Sequence, residues 1–148
     1  MKQRGDDLTA KEYLQQIRQM DTRINNKLVE RYQLDCLRKN ITSSLDKEPR
    51  GSGGVTDKVG NITAKLLDLE EQINHMIDDF VDQKQQCIDL IDKIPDHLQY
   101  TVLHKHYVQY KPLVDIAEEE NYTYQYIIEI HAKALTTFEN LWKPILKV

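Results

Sequence analysis

Hydrophobic residues recur at helical spacing in three stretches of the chain. The first stretch opens with Thr9 and Glu12, which form a capping box when each side chain accepts a hydrogen bond from the other residue's backbone amide. The apolar positions that follow predict one long helix: Tyr13, Leu14, Ile17, Met20, Ile24, Leu28, Leu34, Leu37 and Ile41. Residues 42–57 combine Pro49 with three glycines and few apolar side chains, a composition typical of a flexible loop.

The second stretch has the most regular pattern in the sequence. Its apolar residues follow in alternating steps of three and four, as along a coiled-coil seam, with one break at Gln83 and a stop at Pro95. The seam positions are Val59, Ile62, Leu66, Leu69, Ile73, Met76, Phe80, Gln83, Cys87, Leu90 and Ile94. Helices over about 9–44 and 58–94 would be almost equal in length. Equal helices joined by a flexible loop predict an antiparallel hairpin.

The same seam also suits pairing between two copies of the chain, because a heptad pattern does not specify where its partner helix comes from. We expect a homo-oligomer with either arrangement. Within a hairpin, Cys36 should face Leu66, and Cys87 should lie near Gln15. The two sulfurs would then be roughly 30 Å apart, so the hairpin predicts no intramolecular disulfide.

The third stretch contains three short amphipathic patterns separated by turn and capping signals. Asp96 is a suitable N-cap for the first, Pro112 favours the first turn of the second, and Thr123 caps the third. The close spacing of the second and third patterns is that of a helix-turn-helix. The sequence therefore predicts an all-α protein, with a hairpin domain over residues 1–95 and a helix-turn-helix domain over residues 96–148.

Positive charge is concentrated outside the predicted helix-turn-helix. Residues 1–58 carry 12 Lys and Arg against 9 Asp and Glu, residues 59–95 carry 3 against 8, and residues 96–148 carry 5 against 7. All six arginines lie between Arg4 and Arg50. Because neutralisation of phosphate supplies much of the affinity of a DNA-binding protein, an acidic reading module predicts weak DNA binding per subunit.

The third stretch resembles region four of bacterial sigma factors. The similar positions are Asp115-Ile116-Ala117-Glu118, then Asn121-Tyr122-Thr123, then Ile127 and Lys133-Ala134-Leu135. Together with the hairpin and the Gly-rich loop, they make the chain similar to the phage-encoded sigma-like regulators of the ArpU and RinA kind, from phages of Gram-positive bacteria. The resemblance implies sequence-specific binding to double-stranded promoter DNA, control of a phage operon, contact with RNA polymerase and a cytoplasmic location in the bacterial host.

The resemblance also implies which residues contact the bases or the DNA backbone. The first turns of the last helix would face the major groove, so the implied contacts are Tyr124, Gln125, Ile128 and Glu129. Gln125 suits a bidentate pair with adenine, and Glu129 can accept a hydrogen bond from the amino group of cytosine.

Contacts with the phosphate backbone are assigned to another group of residues. Thr123 and the free amides at the amino end of the last helix suit a phosphate oxygen. Lys105 and Lys111 lie in the preceding helix and loop and would assist, and Lys133 is a further candidate for a backbone contact.

An apolar stripe on the last helix supports a different function. Tyr124, Ile128, Leu135 and Trp142 recur at near-helical spacing, and an exposed stripe of this kind typically marks a protein contact. The alternative function is a protein-interaction module that keeps a sigma-like fold and engages RNA polymerase or another regulator without reading DNA itself. A third interpretation is that the stripe packs against the hairpin or a second subunit.

Other features of the sequence argue against further function classes. Charged residues throughout the first thirty positions argue against a signal peptide or a membrane span, so we expect an intracellular protein. Cys36 and Cys87 lack partners at metal-ligand spacing, and His104 and His106 would point to different sides of a helix. We therefore expect no metal and no cofactor. The sequence shows no nucleophile with a matching base, which predicts that the protein is not an enzyme.

Overall fold

The computed structural model describes residues 8–47 and 53–146, with side chains described for residues 8–43 and 57–144. Over these ranges the chain is helical and contains no strand, so the predicted all-α fold is confirmed. The helices are α1 (Ala10–Lys47), α2 (Gly53–Asp92), α3 (His97–Leu103), α4 (Leu113–Glu120) and α5 (Tyr124–Leu146), with a π-helical turn at His104–Val108 after α3. Across the same ranges, no helix combines the length and the hydrophobicity that spanning a bilayer requires.

Side-chain caps set the start of two helices as the sequence predicts. The Thr9 amide donates to Glu12 Oε1 at 3.0 Å, and the Glu12 amide donates to Thr9 Oγ1 at 3.1 Å. This reciprocal pair completes the predicted capping box of α1. At the start of α3, Asp96 Oδ1 accepts the Gln99 amide at 2.9 Å, so the predicted N-cap is also confirmed.

The predicted loop over residues 42–57 is too long. α1 continues to Lys47 and α2 begins at Gly53, and residues 48–52 lie outside the described residues. Residues 42–47 contain neither glycine nor proline, so their backbones do not oppose the helix. Pro49 is the first strong stop signal, because proline also disfavours the helical conformation of the residue before it.

The heptad pattern of α2 is confirmed, because every predicted seam residue is buried or half-buried. The partner helix is α1 of the same chain, and the two run antiparallel. Gln83 Nε2 donates to Gln16 Oε1 at 3.3 Å, and Arg31 Nε donates to Glu70 Oε2 at 3.1 Å. These pairs lie within about three residues of the predicted hairpin register.

The two cysteines are both free, as the hairpin predicts. Cys87 is fully buried and lies against the Tyr13 hydroxyl, half a turn from its predicted neighbour Gln15. Burial raises the pKa of the Cys87 thiol to about 12. Cys87 is therefore a neutral packing residue rather than a reactive thiolate.

Packing divides the chain into two compact units. Of the described residues, unit 1 contains 8–20 and 80–146, and unit 2 contains Asp21–Asp79. The predicted domain boundary at residue 95 falls inside unit 1, because Ile91 near the end of α2 shares a hydrophobic core with Phe138 of α5.

Two hydrophobic clusters hold unit 1 together. One joins the first turns of α1 and the end of α2 to α5, and its fully buried members include Leu14, Ile17, Ile91 and Phe138. The other joins α3, α4 and α5 through Val102, Ile116, Ala117, Ile127 and Ile130. The second cluster fixes α5 against α4 and so determines which face of α5 remains open.

Candidate nucleic-acid interface

A tight turn connects α4 to α5. Asn121 ends α4 in the left-handed conformation, with φ at 64°, which asparagine tolerates better than most residues. The Tyr122 amide donates to the Ala117 carbonyl at 3.0 Å, and the Asn121 amide donates to the Glu118 carbonyl at 3.3 Å. These two bonds form a Schellman motif. The tight connection predicted at this position is therefore present.

Thr123 caps α5 as predicted. Its Oγ1 accepts the Tyr126 amide at 3.1 Å. The other amides of a first helical turn lack acceptors within their own helix, and they carry the positive end of the helix dipole. The amino end of α5 is therefore suited to an anionic oxygen, although the Thr123 side chain itself is engaged with its own helix.

The open face of α5 carries most of the DNA contacts that were predicted for this helix. Ile127 and Ile130 turn inward and are buried. The predicted contacts that are exposed are Tyr124, Gln125, Glu129 and Lys133, whereas Ile128 is half-buried. Four of the five predicted α5 contacts thus lie on an accessible surface, and Ile128 is less available to a ligand.

The two lysines predicted to assist phosphate binding are held by carboxylates of α4. Lys105 Nζ lies 2.7 Å from Glu119 and 2.7 Å from Glu120, and Lys111 Nζ lies 2.8 Å from Glu119. Hydrogen bonds from both lysines hold the pKa of Glu119 below its usual range. The same contacts raise the pKa of Lys105, with Glu119 contributing most. Both lysines would have to leave these partners, or share them, to bind phosphate.

The apolar stripe on α5 does not extend along the surface. Trp142 is 3% exposed and stacks on Tyr13, with ring centroids 4.7 Å apart, and Leu135 is half-buried against the same cluster. The prediction that Leu135 and Trp142 face a partner is therefore wrong for this chain, and packing against the hairpin describes both. Helical periodicity identifies an apolar face but does not show what covers it.

Exposed aromatic residues that the sequence reasoning passed over flank the predicted contacts. Tyr122 and Tyr126 are 46% and 39% exposed, and their rings lie 5.0 Å apart. Tyr124 between them is 51% exposed. A run of tyrosines at every second position, around a predicted N-cap, was the available signal. Such rings combine apolar area with a hydroxyl, and residues of this kind are enriched at binding surfaces.

A buried histidine behind the α5 surface was also missed. His131 Nε2 lies 2.8 Å from the Tyr107 hydroxyl, and its ring lies 5.3 Å from that of His106. Burial contributes most to a pKa of about 4 for His131, and the nearby His106 and Lys11 lower it in the same direction by smaller amounts. Burial also raises the pKa of Tyr107. The pair is therefore a neutral hydrogen bond that ties α5 to the π-helical turn.

Two basic side chains of unit 1 lie over the ring of Tyr110. Arg18 Cζ lies 5.4 Å from the centre of the Tyr110 ring, and Lys84 Nζ lies 5.9 Å from it. Neither Arg18 nor Lys84 forms an ion pair within the described part of the chain. Tyr110 reaches this position with φ at 64°, a conformation that non-glycine residues rarely adopt.

The remaining histidines of this region have ordinary hydrogen-bond partners. His104 Nδ1 lies 3.0 Å from Gln109 Nε2, and His106 Nδ1 lies 2.7 Å from the Lys111 carbonyl. Among residues 8–47 and 53–146, no three His, Cys, Asp or Glu side chains are grouped as metal ligands would be.

Comparison of the chain with protein-family profiles, with curated proteins and with solved structures gave no significant match. The resemblance to sigma region four and to the phage regulators therefore stays a prediction from Asp115 to Leu135. The helix pair α4 and α5 carries it.

Proposed function

We propose that this protein is a sequence-specific DNA-binding transcriptional regulator that inserts the amino-terminal half of α5 into the major groove. The observation that carries the proposal is the exposed face of α5, which a tight, capped turn joins to α4. Ile127 and Ile130 hold the helix from below, and Gln125 and Glu129 are exposed one turn apart. Side chains with this spacing can reach neighbouring base edges.

Each contact has a distinct role in this proposal. Gln125 pairs with adenine, and Glu129 accepts from the amino group of cytosine. Tyr124 and Lys133 contact the sugar-phosphate backbone on either side of them. Control of a phage operon and cytoplasmic action on the host polymerase are proposed from the resemblance alone.

Binding by one subunit should be weak. Glu119 and Glu120 neutralise Lys105 and Lys111, and the α5 contacts include the acidic Glu129. Arg18 and Lys84, which lie over Tyr110 and have no carboxylate partner among the described residues, are the cations of unit 1 best suited to a further phosphate.

Selection from a pool of random duplexes with the full-length protein tests the proposal. The wild type should enrich one motif that contains adenine and cytosine at fixed positions. Changing Gln125 and Glu129 together to Ala should reduce affinity for that motif about tenfold or more, because each good base pairing contributes roughly 1–3 kcal/mol. Asn140→Ala, an exposed change farther along α5, is the matched control. Failure to enrich any motif, or equal binding by the double variant, would exclude base reading by α5.

The protein-interaction function is the second candidate, and the tyrosine run favours it. Tyr122, Tyr124 and Tyr126 offer exposed aromatic area at the start of α5, and Val114 of α4 is 56% exposed. In this alternative, α4 and α5 engage a subunit of RNA polymerase or another regulator without base contacts.

Pull-down with purified bacterial RNA polymerase separates the two candidates. Tyr124→Ser and Tyr126→Ser together should abolish capture if the surface binds polymerase, whereas Gln125→Ala should not. A protein that selects a DNA motif and captures no polymerase leaves the DNA-binding proposal standing alone.

A further inference from the structure

Unit 2 leaves much of its apolar surface uncovered. Among the described residues of unit 2, the buried apolar side chains are Ile24, Ile62, Leu69 and Ile73. Its exposed large apolar residues are Leu28 (39%), Val29 (53%), Tyr32 (70%), Leu37 (48%), Leu67 (63%) and Ile77 (38%). The described part of unit 2 thus exposes more large apolar side chains than it buries.

Three of these exposed residues, Leu28, Leu67 and Ile77, line a groove between α1 and α2. One section has a volume of about 310 Å³ and is lined by Leu28, Ile73 and Ile77. The next section has a volume of about 340 Å³ and is lined by Leu66 and Leu67. Arg31 and Glu70 line both sections and bridge them with a 2.9 Å ion pair. The two sections therefore adjoin at this ion pair, and each combines apolar with charged lining residues.

The two helices that form the groove carry net charge of opposite sign, although four of the five cations of the α1 stretch also pair with carboxylates of the same chain. Over residues 21–43, α1 has 5 Lys and Arg against 3 Asp and Glu, whereas over residues 57–79, α2 has 2 against 6. On the α2 side, Glu71 and Asp78 are exposed, one helical turn beyond Leu67 and Asn74. Neither forms an ion pair within the described residues. These carboxylates are free to meet cations from outside the chain.

We propose that a second copy of this chain occupies the groove, so that two hairpins of unit 2 form a four-helix bundle. A two-fold axis sets α1 of one copy against α2 of the other, which brings the net-positive stretch of α1 against the net-negative stretch of α2 twice. The same contact buries Leu28, Leu67 and Ile77 of both copies. The face is thus complementary to itself in charge and in hydrophobicity, and four-helix bundles are built from such antiparallel pairs. The dimer stands independently of DNA binding.

Sedimentation equilibrium of the full-length protein tests this dimer. The wild type should have twice the mass of one chain at micromolar concentration. Leu67→Lys combined with Ile77→Lys should raise the dissociation constant of the dimer at least tenfold, because charged side chains would be buried in the interface. Leu37→Lys is the matched control, since the exposure of Leu37 lies between those of Leu67 and Ile77 but Leu37 does not line the groove.

A second variant keeps the test decisive if the first one fails to fold. Glu71→Lys combined with Asp78→Lys touches no buried residue and should also weaken the dimer, by about three- to tenfold, with unchanged helical circular dichroism. A wild-type protein that stays monomeric up to about 100 μM overturns the proposal. So does a dimer that Leu37→Lys weakens as much as the groove variants do.

Discussion

Unit 1 and unit 2 share the same two long helices but bury very different amounts of apolar surface. Within the described residues, eighteen apolar side chains are buried in unit 1 and four in unit 2. The difference comes from α5, which supplies Phe138 and Trp142 to the helices of unit 1. Unit 2 has only the single seam between α1 and α2. A helix pair therefore covers one face of each helix, and a third layer is needed to build a core.

The comparison predicts that stability is uneven along the two helices. Regions with few buried apolar contacts open at lower free energy than the rest of a protein. Unit 1 should hold the global stability of the chain, and unit 2 should open locally unless a second subunit covers it.

The largest effect is expected from Phe138→Ala in unit 1. Phe138 is fully buried, with ring centroids 6.1 Å from Tyr13 and 6.5 Å from Trp142. Removing a buried aromatic ring typically lowers the free energy of unfolding by about 3–5 kcal/mol. Urea denaturation followed by circular dichroism measures the loss. Val114→Ala, a change at an exposed residue, is the control and should change stability by less than about 0.5 kcal/mol. A similarly small effect of Phe138→Ala would mean that packing by α5 does not make unit 1 more stable than unit 2.

A smaller and local effect is expected from Ile73→Ala in unit 2. Ile73 is 4% exposed, and truncating a buried isoleucine costs about 2–3 kcal/mol where the site can partly collapse. Hydrogen exchange should accelerate over residues 21–43 and 57–79 and stay unchanged in α3, α4 and α5. Equal acceleration in both units would mean that they unfold as one and that the contrast in burial does not govern stability.

Acid should weaken unit 1 through His131. The unfolded residue takes up a proton near pH 6.5, whereas burial lowers its pKa in the folded chain to about 4. Between these values the unfolded state binds more protons, so the stabilisation present above pH 6.5 is lost as the pH falls toward 4. The loss should be about 3 kcal/mol.

Urea titrations at several pH values measure this dependence. His131→Gln should flatten the slope between pH 6.5 and 4, while a change at the exposed His75 should leave it intact. A slope that survives His131→Gln would assign the acid sensitivity to other groups.

The smallest effect on stability is expected from Glu119→Gln, because the ion pairs of Glu119 are exposed and pairs of this kind contribute little. Its effect on a DNA-binding unit 1 should be larger. Releasing Lys105 and Lys111 from a carboxylate should raise affinity for DNA about threefold and steepen its salt dependence. Glu139→Gln, which releases only Lys143, is the control. Unchanged affinity would mean that these lysines do not reach phosphate.

Local signals in the sequence predicted the parts of the fold that depend on local physics. The capping box at Thr9, the N-caps at Asp96 and Thr123, and the seam of α2 each follow from neighbouring residues or from periodicity. The end of α1 was placed too early because the glycines near residue 51 suggested a longer loop than the backbone needs.

The candidate site was less predictable because it depends on contacts between distant residues. The pairing of Lys105 with Glu119 requires contact between the π-helical turn and α4. No spacing rule in the sequence predicts that contact. Trp142 belongs to the core only because α5 reaches Tyr13. Exposure of Gln125 and Glu129 was predictable, since both lie opposite the inward positions Ile127 and Ile130 on one helix.

The discontinuous make-up of unit 1 also constrains the order of events during synthesis. Its first segment, up to Met20, leaves the ribosome well before α5 has been made. Leu14 and Ile17 therefore lack their packing partner Phe138 until the chain is almost complete. Closing so long an intervening segment slows folding, and waiting apolar surface favours aggregation. A nascent chain that stops before α5 would thus expose the residues that chaperones bind.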